Sequence, residues 1–204
     1  MARPSPRDIG LAFETHALRF LNSTLHTSLA HVGGAGDGGV DLRGFWWLPR
    51  APGVVAPALR PSGLPYVRKI VPHRLIAQCK AEKRVLGPRA VRELEGVMAH
   101  LSGKRAPPSL AVLLSQSGFT PAAMDHATRT PAPMLLLHLP GGRVGDEEAD
   151  VEVAGAWWNA AFTAVLGPLG VEIRREVALR SGVASVGVWY DGRRMERFGP
   201  PPEQ

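Results

Sequence analysis

Two short stretches hold the residue types that could do chemistry together. Asp41 follows the glycine-rich run Gly33-Gly34-Ala35-Gly36-Asp37-Gly38-Gly39-Val40, while Gln78 and Lys80 belong to Leu75-Ile76-Ala77-Gln78-Cys79-Lys80. Residues two apart on a strand share a face, so Gln78 and Lys80 project together. A carboxylate and an amide oxygen are hard donors of the kind that suits Mg²⁺ or Mn²⁺, with water completing the shell. The backbone carbonyl of Cys79, between Gln78 and Lys80, is a further candidate ligand. Lys80 could orient or help deprotonate an attacking water, or stabilise charge on a phosphate. Carboxylate, amide and lysine converging on one spot is what metal-dependent phosphodiester cleavage requires. Glu14 and Asp37 are additional carboxylates. Gln78 leaves the set one negative charge short of an all-acid version, which gives Glu14 more weight. Asp37 is expected to support the turn, with Gly36 and Gly39 allowing backbone and phosphate to approach Asp41 closely.

The elements that must position these groups can be read in order. A helix is expected from about Pro6 to Leu25, with Pro6 in its first turn and Ile9, Phe13, Ala17, Phe20 and Leu21 as its apolar stripe. Glu14 lies one position round from Phe13, at the edge of that stripe. One further strand is an option at Ser28–Val32. The glycine run must be a loop, and its G-x-G-x-x-G spacing at Gly34–Gly39 is a decoy. A dinucleotide fingerprint opens a helix, whereas Val40–Trp46 alternates like a strand. Residues 49–65, with five prolines, read as an irregular insertion. A strand at Arg74–Lys80 puts Leu75, Ala77 and Cys79 on one face and Ile76, Gln78 and Lys80 on the other. A helix from Pro88 buries Val91, Leu94, Val97/Met98 and Leu101. An apolar strand at Leu110–Leu114 follows, then a turn. Thr120 caps a helix opened by Pro121 and running to about Arg129. Met134–Leu139 is another apolar strand.

Beyond Pro140 the texture changes. An acidic linker (Asp146-Glu147-Glu148-Ala149-Asp150) precedes an expected helix at Ala156–Leu166 carrying Trp157, Trp158 and Phe162. Val171–Arg174 and Val183–Tyr190 read as strands, with a turn at Asp191-Gly192. The tail from Gly199 reads as disordered. The chain therefore divides into a domain at 1–140 and a C-terminal α+β extension at 141–204.

Charge and composition narrow the partners. The net charge is +6, and residues 68–105 carry ten Lys/Arg against three Glu. The basic excess thus sits beside the Gln78/Lys80 strand, where Lys83, Arg84, Arg89 and Arg92 are candidates to grip a phosphate backbone. A solvated basic helix face is the plain alternative. No apolar run is long enough to span a bilayer. The single cysteine, Cys79, excludes an internal disulfide and any cysteine-based zinc site, and fits a reducing compartment. It alternates onto the apolar face and is expected in the core. The seven histidines show no HExxH or paired zinc spacing, and neither G-x-S-x-G nor a P-loop is present. Trp46/Trp47 and Trp157/Trp158 could stack on bases, although core packing is the commoner use of such residues.

Taken in order, Phe13-Glu14, GGAGDGGVD (33–41), Ala77-Gln78-Cys79-Lys80, Val91–Gly96 and Ser117–Ala123 resemble the Mrr-like branch of the restriction-endonuclease (PD-(D/E)XK) superfamily in its QxK variant. Within that branch the details are most similar to the fungal mitochondrial "required for respiratory growth protein 7" family, whose members share a GDGGxDLRG loop, a QCKAE strand and a PRxVRELEG helix. These correspond to Gly36–Gly44, Gln78–Glu82 and Pro88–Gly96. The likeness spans roughly residues 8–139 and, more loosely, Trp189–Gly192.

The resemblance implies an α/β fold with an αβββαβ core and a central mixed sheet flanked by helices. It implies Asp41 and Gln78 as metal ligands, Lys80 as catalytic lysine and Glu14 as the helix acid. It also implies a Mg²⁺- or Mn²⁺-dependent nuclease acting on DNA in mitochondrial genome upkeep. Arg3 and Arg7 are basic, yet no clear presequence follows them. A catalytically silent DNA-binding protein on the same fold is the alternative, motivated by Gln78 in place of an acid. A protein-interaction module on the Trp-rich C-terminal segment is a third reading. A homodimer is left open.

Overall fold

The computed structural model describes residues 4–32, 38–49, 70–101, 110–142, 144, 152–177 and 184–195. Among these, the chain order is α1 (Pro6–Thr24), β1 (Thr27–His31), β2 (Leu42–Pro49), β3 (Ile70–Lys80), α2 (Pro88–Leu101), β4 (Leu110–Ser115), α3 (Pro121–Arg129), β5 (Met134–His138), β6 (Gly155–Trp158), α4 (Ala160–Leu166), β7 (Val171–Val177), β8 (Ala184–Tyr190) and β9 (Arg193–Arg194). The result is a mixed α/β fold. Its main sheet has six strands in the order β1-β2-β3-β4-β5-β6, and β7-β8-β9 form a second, three-stranded sheet. The β3-β4 and β4-β5 pairs are parallel, and the other pairs of the main sheet are antiparallel.

Local chemistry explains where the helices begin. Ser5 caps α1 by accepting from the Asp8 amide, and the Asp8 carboxylate returns to the Ser5 backbone, with Pro6 in the first turn. Thr120 does the same for α3 through the Ala123 amide, ahead of Pro121. The apolar stripe of α1 (Phe13, Ala17, Phe20, Leu21) is buried as its spacing predicts. So are Val91, Leu94 and Met98 of α2.

The main sheet separates two apolar layers. On one side α1 and α4 pack with Leu42, Trp46, Leu75, Ala77, Val112, Leu135 and Leu137, and this cluster continues into Val171, Ile173, Val186 and Val188 of the second sheet. On the other, α2 and α3 cover Ile76, Ala111, Leu113, Met134 and Leu136. Helices on both faces account for the unbroken apolar run of β4, whose six residues are all buried. Residues before and after position 140 thus contribute to one cluster.

Several elements differ from the sequence reading. Ser28–Val32 is realised as β1, paired antiparallel with β2. Gly44 explains the closeness of that pair: a Cβ there would meet the Ser28 carbonyl oxygen and lie 3.0 Å from the Leu29 Cα. β3 begins at Ile70 rather than Arg74, and β2 runs through Pro49, the expected first residue of the insertion. The rest of that insertion, 50–65, lies outside the described residues, as do the acidic linker and the C-terminal tail. The expected helix at 156–166 is corrected: Gly155–Trp158 is β6, pairing Leu135 with Trp158 and Leu136 with Trp157, and the helix starts only at Ala160. The reason is Asn159. Its side-chain oxygen accepts from the Phe162 and Met134 amides, and its amide group donates to the Ala127, Thr130 and Ala132 carbonyls. This fixes a helix start that the run of aromatic and small residues conceals.

Candidate active site

The site lies where β2 begins and β3 ends. Asp41 immediately precedes β2; its amide donates to the Ala77 carbonyl at 3.0 Å and its own carbonyl accepts from Val32. Because Leu42 pairs with Ala77, one more step of the antiparallel register sets Asp41 against Gln78. The Asp41 Oδ2 accepts from the Cys79 amide at 2.6 Å. A residue's N–H and C=O point to the same side of a strand, so the Cys79 carbonyl also looks toward the Asp41 side. The flanking Lys80 carbonyl instead accepts from Gln116 after β4. Asp41 thus closes the end of the ladder with its carboxylate where the next peptide would sit.

Gln78 and Lys80 share the face toward α2. Gln78 is buried, and its Oε1 has no hydrogen-bond partner among the described residues. Gly39 holds the loop against it. With φ of +83° it sits in the left-handed region, and a Cβ there would come within 3.2 Å of the Gln78 Nε2. Gly36 and Asp37 lie outside the described residues. The Lys80 ammonium meets Glu93 Oε2 on α2 at 3.5 Å, and Arg89 Nε donates to Glu93 Oε1 at 2.9 Å. Arg89, and after it Lys80, hold the Glu93 carboxyl below the usual carboxylate range. Lys80, Glu82 and Val85 together with Gly87, Arg89 and Glu93 line an open cleft of about 410 Å³. The loop between them is fixed by the Leu86 amide on the Gly118 carbonyl, the Thr120 amide on the Leu86 carbonyl, and the Ser117 hydroxyl on the Glu82 carbonyl.

Glu14 approaches from the opposite face. Its Oε2 lies 3.5 Å from His31 Nδ1 at the end of β1. Cys79 points to the same side as Glu14, in the α1 layer, as its alternation predicts. Burial, and after it the Asp41 and Glu14 carboxylates, push the Cys79 thiol well above its ordinary range. Both acids are therefore within electrostatic reach of that sulfur. The structure brings Asp41, Gln78 and Cys79 together at the sheet end, with Lys80 beside them and Glu14 across the sheet plane. Among the described residues, no group of three or more His, Cys, Asp or Glu side chains is arranged to hold a metal ion. The oxygen donors present are one carboxylate, one side-chain amide and a backbone carbonyl, and the unpartnered Gln78 oxygen is the donor that fits a hard cation.

Lys83 and Arg84 are exposed in the loop after β3, and Arg89 and Arg92 are exposed on α2; of these four cations, Arg89 lines the cleft with Lys80. The sequence reading missed Glu93 and His31. Arg89 and Glu93 stand four apart on a helix, which is a readable pair, but the link from Glu93 to Lys80 and that from His31 to Glu14 are made only by the fold.

A family model described as "Required for respiratory growth protein 7" matches residues 8–161, most of the chain and well past the expected limit at 139. No curated protein matches, and no solved structure matches. No helix among the described residues is long and apolar enough to cross a membrane. From its first helix through the strand bearing Trp157 and Trp158, the chain belongs to the required for respiratory growth protein 7 family.

Proposed function

We propose that the chain is a divalent-metal-dependent DNA nuclease on a restriction-endonuclease-like core, serving mitochondrial genome maintenance and through it respiratory growth. The observation that carries this is the Gln78 carbonyl oxygen, buried without a partner among the described residues on the strand end that also holds Lys80 and faces Asp41. A buried acceptor left unpaired costs about 1–3 kcal/mol, and a ligand would offset that cost. The observed order α1-β1-β2-β3-α2-β4 supports the core assignment, and the family's name supports the respiratory role.

In this reading Asp41, Gln78 and the Cys79 carbonyl would hold Mg²⁺ or Mn²⁺, with Glu14 the nearest further acid. The ion, when bound, supplies Lewis acidity toward phosphate oxygens and lowers the pKa of bound water. The chain's own residues do the rest. Lys80, which Glu93 meets at 3.5 Å, offers its ammonium to the phosphate or to the attacking water. Lys83, Arg84, Arg89 and Arg92 draw the backbone into the cleft. Gly39 admits the strand to the sheet end without a side chain in the way.

The test is nicking of supercoiled DNA by the purified chain with Mg²⁺ or Mn²⁺. Lys80→Ala is expected to abolish nicking while the variant still melts cooperatively; equal activity in that variant would overturn the assignment. A second reading, DNA binding without cleavage, is favoured by the neutral Gln78 where a second acid would complete the charge. It predicts salt-dependent binding, no cleavage with either metal, and no change in binding in Asp41→Ala.

A further inference from the structure

Period-two alternation carries the face of Gln78 and Lys80 back along β3 to Arg74 and Pro72, and across to Arg43, Phe45 and Trp47 of β2. The register makes them neighbours: Arg43 lies against Ile76, Phe45 against Arg74 and Trp47 against Pro72. None of Arg43, Phe45 and Trp47 belongs to the apolar layer under α2 and α3. Phe45 is 43% exposed, an unusual state for a phenylalanine at mid-strand. Its ring stands 6.0 Å from that of Trp47, tilted 51°. Arg43 is exposed on one side of Phe45, and Arg74 lies across from it. Among the described residues, the strands β1, β2 and β3 themselves carry no Asp or Glu, and Asp41, against Gln78, is the acid at the end of this face.

An exposed phenylalanine ring between arginines, backed by a half-buried tryptophan on strands without acids, is chemically complementary to a single polynucleotide strand. Unpaired bases stack on the rings and the guanidinium groups take the phosphates. A duplex keeps its bases stacked on one another and gains only the arginine contacts. From Gln78 to Arg74 is four residues, about 13 Å at 3.3 Å per residue, or about four nucleotides at stacking distance. We infer that Phe45 and Trp47, with Arg43 and Arg74, form a binding platform for single-stranded nucleic acid a few nucleotides from the site at the end of β3. The platform gives the proposed nuclease a substrate class, a single strand or the unpaired flank of a branched or frayed duplex. It rests on the nuclease reading for that role, and on its own residues for binding.

The experiment is equilibrium anisotropy in EDTA, so that no cleavage enters, with a fluorescent oligothymidylate and a duplex of equal length. Proteins compared are wild type, Phe45→Ala, Phe45→Leu, Arg43→Ala with Arg74→Ala, and Lys80→Ala, each checked for an intact melting transition. Wild type is expected to prefer the single strand. Phe45→Ala is expected to weaken that binding by about five- to 150-fold, the usual worth of one stacked base. Phe45→Leu, which keeps apolar bulk without the ring, should lose nearly as much, separating stacking from packing. The double arginine change should lower the salt slope by about 0.7 per lost phosphate contact.

The platform is refuted if wild type binds no single strand at low salt, if it binds duplex as well and Phe45→Ala weakens both alike, or if folded Phe45→Ala binds as wild type does. Self-association lost in Phe45→Ala, without nucleic-acid binding, would make the face a protein interface and equally refute it. Cleavage abolished by Lys80→Ala together with unchanged binding in Phe45→Ala would sink the platform and leave the nuclease. Phe45-dependent strand binding without cleavage under either metal would do the reverse.

Discussion

Replacing Asn159 by alanine is expected to cost more stability than any other single polar substitution in the C-terminal part of the described chain. Asn159 is buried, and its one amide joins three elements. Its oxygen caps α4 through the Phe162 amide at 2.9 Å and accepts the first amide of β5, Met134, at 3.2 Å. Its nitrogen covers three carbonyls at the end of α3: Ala127 at 3.1 Å, Thr130 at 3.1 Å and Ala132 at 2.8 Å. Loss of a helix N-cap costs about 1 kcal/mol. Stranding a buried donor such as the Met134 amide costs about 1–3 kcal/mol. Together these give about 2–4 kcal/mol, and at roughly 2–4 °C per kcal/mol for a chain of this size the melting temperature should fall by about 4–16 °C. Asn159→Asp is the discriminating partner. It keeps both acceptor bonds but turns a carboxylate oxygen toward three carbonyls, so its folded-state pKa is raised. Its stability should therefore be lowest at neutral pH and recover as pH falls and the carboxyl regains a proton. Urea denaturation followed by circular dichroism measures both. A change below about 1 kcal/mol in Asn159→Ala, or an Asn159→Asp variant indifferent to pH, would refute the role assigned to this residue.

Two further outcomes concern the sheet. Gly44→Ala should separate β1 from β2, because the atoms its Cβ meets are the Ser28 and Leu29 backbone rather than movable side chains; soluble yield and melting temperature are the readouts, and a transition within a few degrees of wild type would disprove the close approach. His73, opposite Trp46, is held below its ordinary pKa by burial. The unfolded chain takes up that proton first, so the contribution is present above about pH 6.5 and lost as pH falls below it. His73→Leu should flatten the acid limb of the stability curve, and an unchanged slope between about pH 7.5 and 5 would argue against it.

Much of this fold is legible in the sequence because the local signals agree with the tertiary result. α1, α2 and α3 each begin at a proline, two of them after a hydroxyl cap, and each has an apolar stripe at helical spacing. β4 and β5 are apolar runs too short for helices. The failures arise where partners lie far away in sequence. β1 is a half-polar pentapeptide whose strand character comes from pairing with β2. Trp157 and Trp158 suit helix or strand, and pairing with β5 decides between them. Pro72 argues against extending β3, yet it lies in the part of β3 that faces β2 alone, where the missing amide bond is tolerated. At the site, alternation alone places Gln78 with Lys80 and Cys79 opposite. That Asp41 spends an oxygen on the Cys79 amide, and that Glu93 takes hold of Lys80, depends on how a loop and a helix meet the sheet.

The strand order of the main sheet has a consequence for how the chain comes together. From β1 to β6 every strand lies beside the one before it, so a chain delivered amino end first, from a ribosome or through a narrow pore, always finds its next template already in place. No strand has to be inserted between two others. The cost falls at the advancing edge. Until β6 arrives, the open side of the growing sheet is Leu135–Leu137, apolar and unpaired, the kind of edge that invites pairing with a wrong chain. Trp157 and Trp158 end that exposure, which makes the interval between synthesis of β5 and β6 the step most in need of a chaperone.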